Sequence, residues 1–146
     1  MLIRKMVLAD VEQVSAIETS NFSLPWSEKA FEDAIACKDA LFLVAEEKEK
    51  ILGYVGMYIS FEEGEITNVA VLKDAQNSGI GKSLLEKAFE EAFVLGVERV
   101  VLEVRVSNEP AIHLYQKMGF ENVGTRKNFY DFPKEDAFIM IFERTK

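Results

Sequence analysis

The chain has 146 residues, of which 49% are apolar and 29% charged, so it can fold around a buried core without disulfides or metal ions. Its 25 acidic and 17 basic residues give a formal net charge of -8, which disfavours nonspecific binding to nucleic acid or anionic lipid. The single Cys37 excludes an internal disulfide and offers no metal-ligand spacing. We expect one cytoplasmic domain covering 1–146, with no metal site and no membrane or nucleic-acid partner.

The first third of the chain predicts a strand followed by two helices. Residues 2–7 alternate as a strand, and Asp10 to Gln13 then has capping-box spacing for a first helix with an apolar stripe. Ser27 is a candidate N-cap of a second helix that runs to about residue 35. Trp26 precedes this cap and Phe31 follows it at the spacing of a hydrophobic staple, which favours this helix start.

Three strands are predicted in the middle of the chain. Residues 41–45 and 51–59 are apolar and β-branched, and the charged segment 46–50 between them is typical of a solvated hairpin turn. Residues 66–72 form the next strand. These hairpin connections predict antiparallel neighbours.

A strand, helix and strand unit follows and ends in a nearly continuous apolar strand. The third helix begins near Gly81 and ends before Gly96, which can close it in the left-handed conformation. Residues 100–104 are apolar apart from one glutamate, a pattern typical of a strand buried on both faces. This unit should place 66–72 and 100–104 side by side as a central parallel pair.

The last part of the chain predicts a short helix and a strand pair. Asn108 can cap the helix and Gly119 can stop it. Its expected buried stripe consists of Ala111, Leu114, Tyr115 and Met118. Strands 120–125 and 137–142 follow, joined by a turn that contains Pro133. The whole pattern predicts an α/β fold, with a mixed, mostly antiparallel sheet of about seven strands flanked by about four helices.

A glycine-rich run connects strand 66–72 to the third helix: Gln76, Asn77, Ser78, Gly79, Ile80, Gly81 and Lys82. Such a turn leaves backbone N–H groups unpaired at the positive end of the helix dipole, where phosphate binds. The segment 81–83 resembles the end of a nucleotide-binding P-loop, but Gln76 stands where that motif requires glycine. The run predicts a phosphate site. A plain turn with glycines for tight geometry is the alternative.

Motifs along almost the whole chain resemble one family. The pattern Gln76-x-x-Gly79-x-Gly81 is similar to the pyrophosphate loop of the GCN5-related N-acetyltransferases. The segment from Leu102 to Asn108, followed by 111–115 and 119–120, resembles the RimI-like branch, the ribosomal-protein-alanine N-acetyltransferases. Further similar segments, in order, are 25–29, 68–71, 126–130 and 135–140.

The chain departs from this family at two places beside the glycines. Ala75 stands where the family more often has an aromatic residue, and Asn77 and Ser78 stand where it usually has a basic one. The resemblance implies acetyl-coenzyme A as the cosubstrate. Without the basic residues, phosphate binding should depend more on backbone amides and on Lys82.

Glu103 is a carboxylate in the middle of an apolar strand. A buried charge is retained when it is paired, hydrogen-bonded or used in chemistry. One interpretation is a structural pair with Arg105 or a capping amide. The other is a general base with a raised pKa, which deprotonates an ammonium substrate directly or through a water. An α-ammonium titrates at about 8 and a lysine at about 10.4, so an α-amine is the easier nucleophile to generate.

The resemblance implies roles for further residues. Backbone N–H groups of Val69, Ala70 and Val71 would stabilise the oxyanion and pair with the pantetheine amides. Tyr115 would act as the general acid that protonates the leaving thiolate. On spacing alone, Tyr115 is equally compatible with an apolar helix stripe. Asn108 can be a helix cap, a coenzyme A contact, or both.

The acceptor implied by the resemblance is the N-terminal alanine of a small-subunit ribosomal protein, and an acidic enzyme suits such a basic partner. The acceptor groove should involve the segment 22–26, including Trp26, and the turn after Tyr130. Trp26 can instead serve only as a staple. The alternatives are an acetyltransferase of the same fold that acts on a lysine, a small amine or several N-termini, and a non-catalytic sensor of acetyl-coenzyme A.

Overall fold

The computed structural model describes residues 1–144 and contains one sheet of seven strands, in the spatial order β1-β2-β3-β4-β5-β7-β6. The strands are β1 (Leu2–Lys5), β2 (Ala40–Glu47), β3 (Lys50–Ser60), β4 (Glu63–Val71), β5 (Arg99–Arg105), β6 (Glu121–Tyr130) and β7 (Glu135–Glu143). The α-helices are α1 (Val11–Asn21), α2 (Glu28–Ala36), α3 (Ile80–Val94) and α4 (Glu109–Lys117). Short 3-10 helices cover Leu8–Asp10 and Lys73–Ala75.

The sheet confirms the predicted fold class. Successive strands pair antiparallel from β1 to β4: β1 with β2, β2 with β3, and β3 with β4. Strand β7 pairs antiparallel with both β5 and β6. The parallel pair is β4 and β5, which α3 connects. Its ladder is short, since Glu63, Gly64 and Glu65 are matched with Arg99, Val100 and Val101 and the pairing then stops. Beyond this point the two strands separate.

The helices cover both faces of the sheet and bury two apolar layers. On one face, α1 and α2 pack on β2 and β3 through residues such as Val14, Ile17, Phe31 and Phe42. On the other face, α3 lays Leu84, Leu85, Ala88 and Ala92 against the same strands and against β5, and α4 adds Tyr115. This helical spacing gives α3 an apolar stripe directed at the sheet.

Most of the predicted helix ends are confirmed. The Ser27 hydroxyl accepts a hydrogen bond from the Ala30 N–H, 3.1 Å away, and the Asn108 side chain accepts one from Ala111. Gly96 and Gly119 follow α3 and α4 with φ angles of 98° and 106°, so both close their helices in the left-handed region. The rings of Trp26 and Phe31 lie 5.2 Å apart, as the staple requires.

The predicted capping box at Asp10 is wrong. Asp10 has helical dihedrals, and its carboxylate accepts hydrogen bonds from the Arg4 guanidinium and from the Val7 N–H, 2.8 Å away. An ion pair to a strand therefore displaces the local cap. The pairing lowers the pKa of the Asp10 carboxyl against the opposing effect of its burial, which is the largest influence on it.

The prediction that strand 100–104 is buried on both faces is also wrong. Along β5 the buried positions alternate with half-buried ones, because only the face toward α3 is fully covered. Residues of the expected stripe on α4 other than Tyr115 are half-buried. Strand β6 runs to Tyr130, five residues beyond the predicted end at 125. Within residues 1–144, no helix has the length and apolar character needed to cross a bilayer.

Candidate active site

A cleft of about 520 Å³ opens where β4 and β5 separate. Its sides are formed by the second halves of these two strands, by α4, by the segment that links α1 to α2, and by the turn that links β6 to β7. From Ile66 onward, no strand among residues 1–144 pairs with the edge of β4 that faces β5. Apart from the Val71 carbonyl, which accepts hydrogen bonds from the Asn21 and Gln76 side chains, its backbone groups there are available to a ligand that pairs like a strand.

A bulge in β4 lies directly after the end of the parallel ladder. Gly56 of β3 is opposite Asn68 while Met57 is opposite Ile66, so Thr67 is the extra residue. Ile66 packs on the α3 face, whereas Ala70 packs on the α1 face, although an even spacing in a regular strand would place both on one face. The bulge thus turns the Asn68 side chain toward α1. It also increases the local twist at the point where β4 leaves β5.

Glu103 lies on β5 within the cleft, and its side chain is 15% exposed. Burial raises the pKa of the Glu103 carboxyl, and the nearby Glu65 raises it further. Arg126 acts in the opposite direction from 3.5 Å away. The alternative pairing with Arg105 is wrong, because Arg105 pairs with Glu135 instead. The site therefore holds a half-buried carboxylate with increased basicity.

Tyr115 enters the same cleft from α4 and is 6% exposed. Its ring contacts Phe120 at 5.6 Å, and within residues 1–144 no hydrogen bond to its hydroxyl is present. Burial raises the pKa of the Tyr115 hydroxyl well above its usual range, with a smaller contribution from Tyr130. Burial disfavours the phenolate and so favours the protonated hydroxyl.

The turn after Tyr130 forms one wall of the cleft. Burial and the charge of Glu103 raise the pKa of the Tyr130 hydroxyl to about 12, while Arg105 counteracts them. The Arg105 guanidinium lies over the Tyr130 ring, 4.3 Å from its centroid. Phe129, Asp131 and Phe132 also line this wall.

The opposite wall is the segment 22–26. Trp26 lines the cleft and also packs on Phe31 and Phe42, so its two predicted positions, in the groove and as a staple, coincide. Phe22 and Leu24 line the cleft with exposed side chains. Glu18 supports this wall, because its carboxylate accepts a hydrogen bond from the backbone N–H of Trp26 at 2.9 Å.

Glu18 is a residue of the cleft that the sequence analysis missed. Its carboxylate is 2% exposed and accepts hydrogen bonds from the Tyr54 hydroxyl, from the Asn68 amide at 3.3 Å and from Trp26. No basic side chain pairs with it in the described part of the chain. The available signal was a charged residue four positions after Val14, on the apolar stripe of α1.

The glycine-rich run forms the start of α3. Gly79 has a φ of 84°, and no side chain caps the helix behind it, so the first amides of α3 are free to bind a ligand. A β-carbon added at Gly81 would lie 3.8 Å from side chains of Leu114 and Val71. The loop therefore lies between the end of β4 and α4, next to the cleft. Lys82 is exposed at this helix start.

The predicted site residues fall into two groups. Six of them line the cleft together: Trp26, Val69, Glu103, Asn108, Tyr115 and Tyr130. The others lie on β4 or at the loop beside it: Ala70, Val71, Gln76, Asn77, Ser78, Gly79, Ile80, Gly81 and Lys82.

Three residues of the second group have side chains that make contacts within the protein. The Ala70 side chain is buried in the α1 layer, the Gln76 amide donates to the Val71 carbonyl at 3.2 Å, and the Ser78 hydroxyl donates to the Ala75 carbonyl. The side chain of Ala70 is therefore not accessible to a ligand, whereas Gln76 and Ser78 remain exposed. In the described residues, no group of three or more histidine, cysteine, aspartate or glutamate side chains could hold a metal ion.

This arrangement is typical of acetyltransferases that use coenzyme A. It combines a mixed sheet whose central strand pair separates, a carboxylate and a tyrosine in the gap, and an uncapped helix start beside it. A family model described as the acetyltransferase (GNAT) family matches residues 11–120. The chain belongs to this family and is an acetyl-coenzyme A-dependent N-acetyltransferase.

Similar proteins include bacterial and archaeal enzymes. A Bacillus subtilis relative, provisionally named ribosomal protein bS18-alanine N-acetyltransferase, is 37% identical over 139 residues, covering 94% of this chain and 92% of its own. An N-alpha-acetyltransferase of Sulfurisphaera tokodaii is 34% identical over 155 residues, covering 94% and 90%. The crystal structure of the ribosomal-protein-S18-alanine N-acetyltransferase from Escherichia coli has a TM-score of 0.91 at 31% identity, over 99% of this chain and 94% of that one.

Proposed function

We propose that this protein transfers acetyl from acetyl-coenzyme A directly to the α-amine of an N-terminal alanine on a small-subunit ribosomal protein. The observation that carries this proposal is the presence of Glu103 and Tyr115 in one cleft, at the point where β4 and β5 separate. We further propose that 1–146 acts as a single cytoplasmic catalytic domain. Acetyl-coenzyme A supplies the thioester, and the residues of the chain supply orientation and proton transfer.

Glu103 acts as the general base. The attacking amine must be neutral, and an α-ammonium with a pKa of about 8 is mostly protonated at neutral pH. A carboxylate whose pKa is raised by burial accepts that proton more readily than an exposed one. The positive charge of Arg126 stabilises the ionised form of the Glu103 carboxylate, so Glu103 still enters the reaction deprotonated.

Tyr115 acts as the general acid toward the leaving sulfur. Its hydroxyl is protonated at neutral pH because burial raises its pKa, and it has no hydrogen-bond partner within residues 1–144 that would compete. The leaving thiolate of coenzyme A would lie in the same cleft. Burial in apolar surroundings raises the pKa of its thiol and so destabilises the thiolate as well. Burial therefore raises the pKa of the donor hydroxyl and the pKa of the accepting sulfur in the same direction.

The chain binds the cofactor mainly through its backbone. The amides of Asn77, Ser78, Gly79, Ile80, Gly81 and Lys82 form the diphosphate site, with Gln76 holding the loop against β4. The free edge of β4 at 69–71 pairs with the pantetheine amides and directs an N–H at the developing oxyanion. Asn108 contacts the cofactor from the start of α4, and Lys82 adds the local positive charge.

The acceptor enters between Trp26 and Tyr130. Two of the similar proteins carry names that specify the alanine of ribosomal protein S18 or bS18, and the net charge of -8 suits a basic partner. The side chains of Phe22, Leu24 and Phe132 line the cleft, and they are exposed at its rim.

The test is to mix pure protein with acetyl-coenzyme A and one of three acceptors, and to follow free thiol and the mass of the acceptor. The acceptors are a peptide beginning Ala-Arg, the same peptide with a blocked amino terminus and an internal lysine, and spermidine. We expect transfer to the free α-amine alone. Transfer to lysine or spermidine only would contradict the proposal, and no transfer at all would favour the non-catalytic sensor.

A second candidate is an enzyme for a broader set of protein N-termini. The similarity to an archaeal protein named N-alpha-acetyltransferase supports it. Peptides of one sequence beginning with Ala, Ser, Met or Glu distinguish the two functions by their values of kcat/KM. A strong preference for Ala supports the first, and equal values support the second.

A further inference from the structure

Arg105 makes an unusual set of contacts for a residue two positions after the proposed base. Its guanidinium donates to the Pro133 carbonyl at 2.9 Å and to the Asp131 carbonyl at 3.2 Å. It also pairs with the Glu135 carboxylate at 3.1 Å. The planar guanidinium, with its five donors, reaches all three acceptors, which a single ammonium could not do in the same geometry.

Two further contacts complete the attachment of this turn to β5. The Arg105 guanidinium lies over the ring of Tyr130, and the Glu135 carboxylate accepts a hydrogen bond from the Ser107 N–H at 2.8 Å. Turn residues 131–134 are themselves exposed and lie outside the ladder of β6 and β7. The wall of the cleft on this side is therefore held by Arg105 and Glu135 in addition to the pairing of Tyr130 with Glu135 at the end of the ladder.

We propose that Arg105 is a positioning residue for the acceptor, an inference that rests on the proposed function. It fixes Tyr130 and the turn 131–134 relative to Glu103, since Arg105 and Glu103 project from the same side of one strand. The acceptor amine is thereby placed at the base. Arg105 does not touch the thioester, and it affects the reaction through the wall that it holds.

The test is Arg105→Lys, which keeps the positive charge and removes the planar set of donors. We expect KM for the Ala-Arg peptide to rise about tenfold or more, as expected for the loss of charge-assisted hydrogen bonds. We expect KM for acetyl-coenzyme A to stay within about twofold, because the contacts of Arg105 are to Tyr130 and to residues 131–135 and not to the glycine-rich run 76–82. A residue with only a structural role would not separate the two KM values in this way.

Arg99→Lys is the matched control. Arg99 lies on the same face of the same strand and pairs with Glu63 at 3.2 Å, but it is outside the cleft. We expect this variant to keep both KM values. If Arg105→Lys folds poorly, Glu135→Gln is the second variant. It weakens the same attachment but leaves both carbonyl contacts of Arg105, so we expect a smaller rise of the KM for the peptide.

The outcomes separate the inference from the proposed function. If unmodified protein acetylates the peptide and folded Arg105→Lys has an unchanged peptide KM, the positioning role is wrong. Equal rises of both KM values would also overturn it, since they would indicate general damage to the fold. If the unmodified protein does not acetylate the α-amine at all, it is the proposed function that fails.

Discussion

The Glu103 carboxylate and the Arg126 guanidinium lie 3.5 Å apart, although β7 separates their two strands in the sheet. Arg126 reaches this position with a side chain that is 58% exposed, whereas Glu103 is 15% exposed. The arginine is well solvated, so it compensates only part of the desolvation of the carboxylate. This asymmetry is why the pKa of Glu103 is raised even though the residue has a cationic neighbour.

Replacing Glu103 with glutamine should slow transfer in a pH-dependent way. In the unmodified enzyme, kcat/KM rises as Glu103 loses its proton, at a pH above that of an ordinary glutamate. Above about pH 8 the acceptor is already neutral in solution and needs no base. The loss of rate in Glu103→Gln should therefore be largest between the pKa of Glu103 and about pH 8, and should shrink above it.

The measurement is kcat/KM for the Ala-Arg peptide against pH, together with the Kd for acetyl-coenzyme A. We expect the Kd to be unchanged. A constant ratio between the two enzymes over the whole pH range would remove Glu103 from the role of base.

Tyr115→Phe should lower kcat by about two orders of magnitude or more, as the loss of a general acid does. Stability should change little, because the hydroxyl makes no hydrogen bond within residues 1–144. Quenched assays of product formation measure kcat, and thermal melting measures stability. Tyr58→Phe, on β3 outside the cleft, is the control and should keep normal turnover. A lower melting temperature with a normal rate would indicate a purely structural tyrosine.

Gly79→Ala and Gly96→Ala form a matched pair at the two ends of α3. Both glycines have positive φ angles, 84° and 98°, and an added β-carbon would meet no atom within 4 Å at either position. Each substitution should therefore cost about 1–2 kcal/mol of stability from backbone strain alone. Only Gly79→Ala should also raise the Kd for acetyl-coenzyme A, because relief of the strain redirects the amides at the start of the helix.

Isothermal titration and urea unfolding measure both variants. Equal Kd values for acetyl-coenzyme A in the pair would contradict a diphosphate site at Gly79.

Tyr54→Phe should destabilise the fold by about 1.5–3 kcal/mol, the range for hydrogen bonds to charged groups. The Tyr54 hydroxyl donates to the buried Glu18 carboxylate, and its removal leaves that charge with fewer donors. Urea unfolding gives the change in the free energy of unfolding. Tyr58→Phe should change it by less than about 0.5 kcal/mol. Equal losses in the two variants would show that Glu18 is satisfied without Tyr54.

The elements and their order were predictable because each has a local cause. Apolar runs on either side of a charged turn identified β2 and β3, Ser27 and Asn108 identified helix starts, and glycines identified helix ends. The parallel arrangement of β4 and β5 followed from the strand, helix and strand unit, but the ladder lies at 63–65, before the predicted strand 66–72. Family motifs indicated Glu103 and Tyr115, and the structure brings these two into one cleft.

Features that depend on distant contacts were not predictable. The bulge at Thr67 leaves no trace in local composition, yet it decides that Asn68 faces Glu18. The partner of Glu103 is Arg126 on β6, whereas Arg105 pairs with Glu135 near the turn, and both pairings depend on contacts between distant parts of the chain. Asp10 looked like a cap because the sequence alone could not reveal its ion pair with Arg4.

The three-residue ladder between β4 and β5 has a mechanical consequence. The seven strands form two smaller sheets, of four and three strands, that share a short seam. Because this ladder has fewer residue pairs than that of any other neighbouring strands, we expect the width of the gap to vary more easily than the spacing elsewhere in the sheet. Amide deuterium exchange should then be fastest on the free edge of β4 and slow on β3, two strands from the gap.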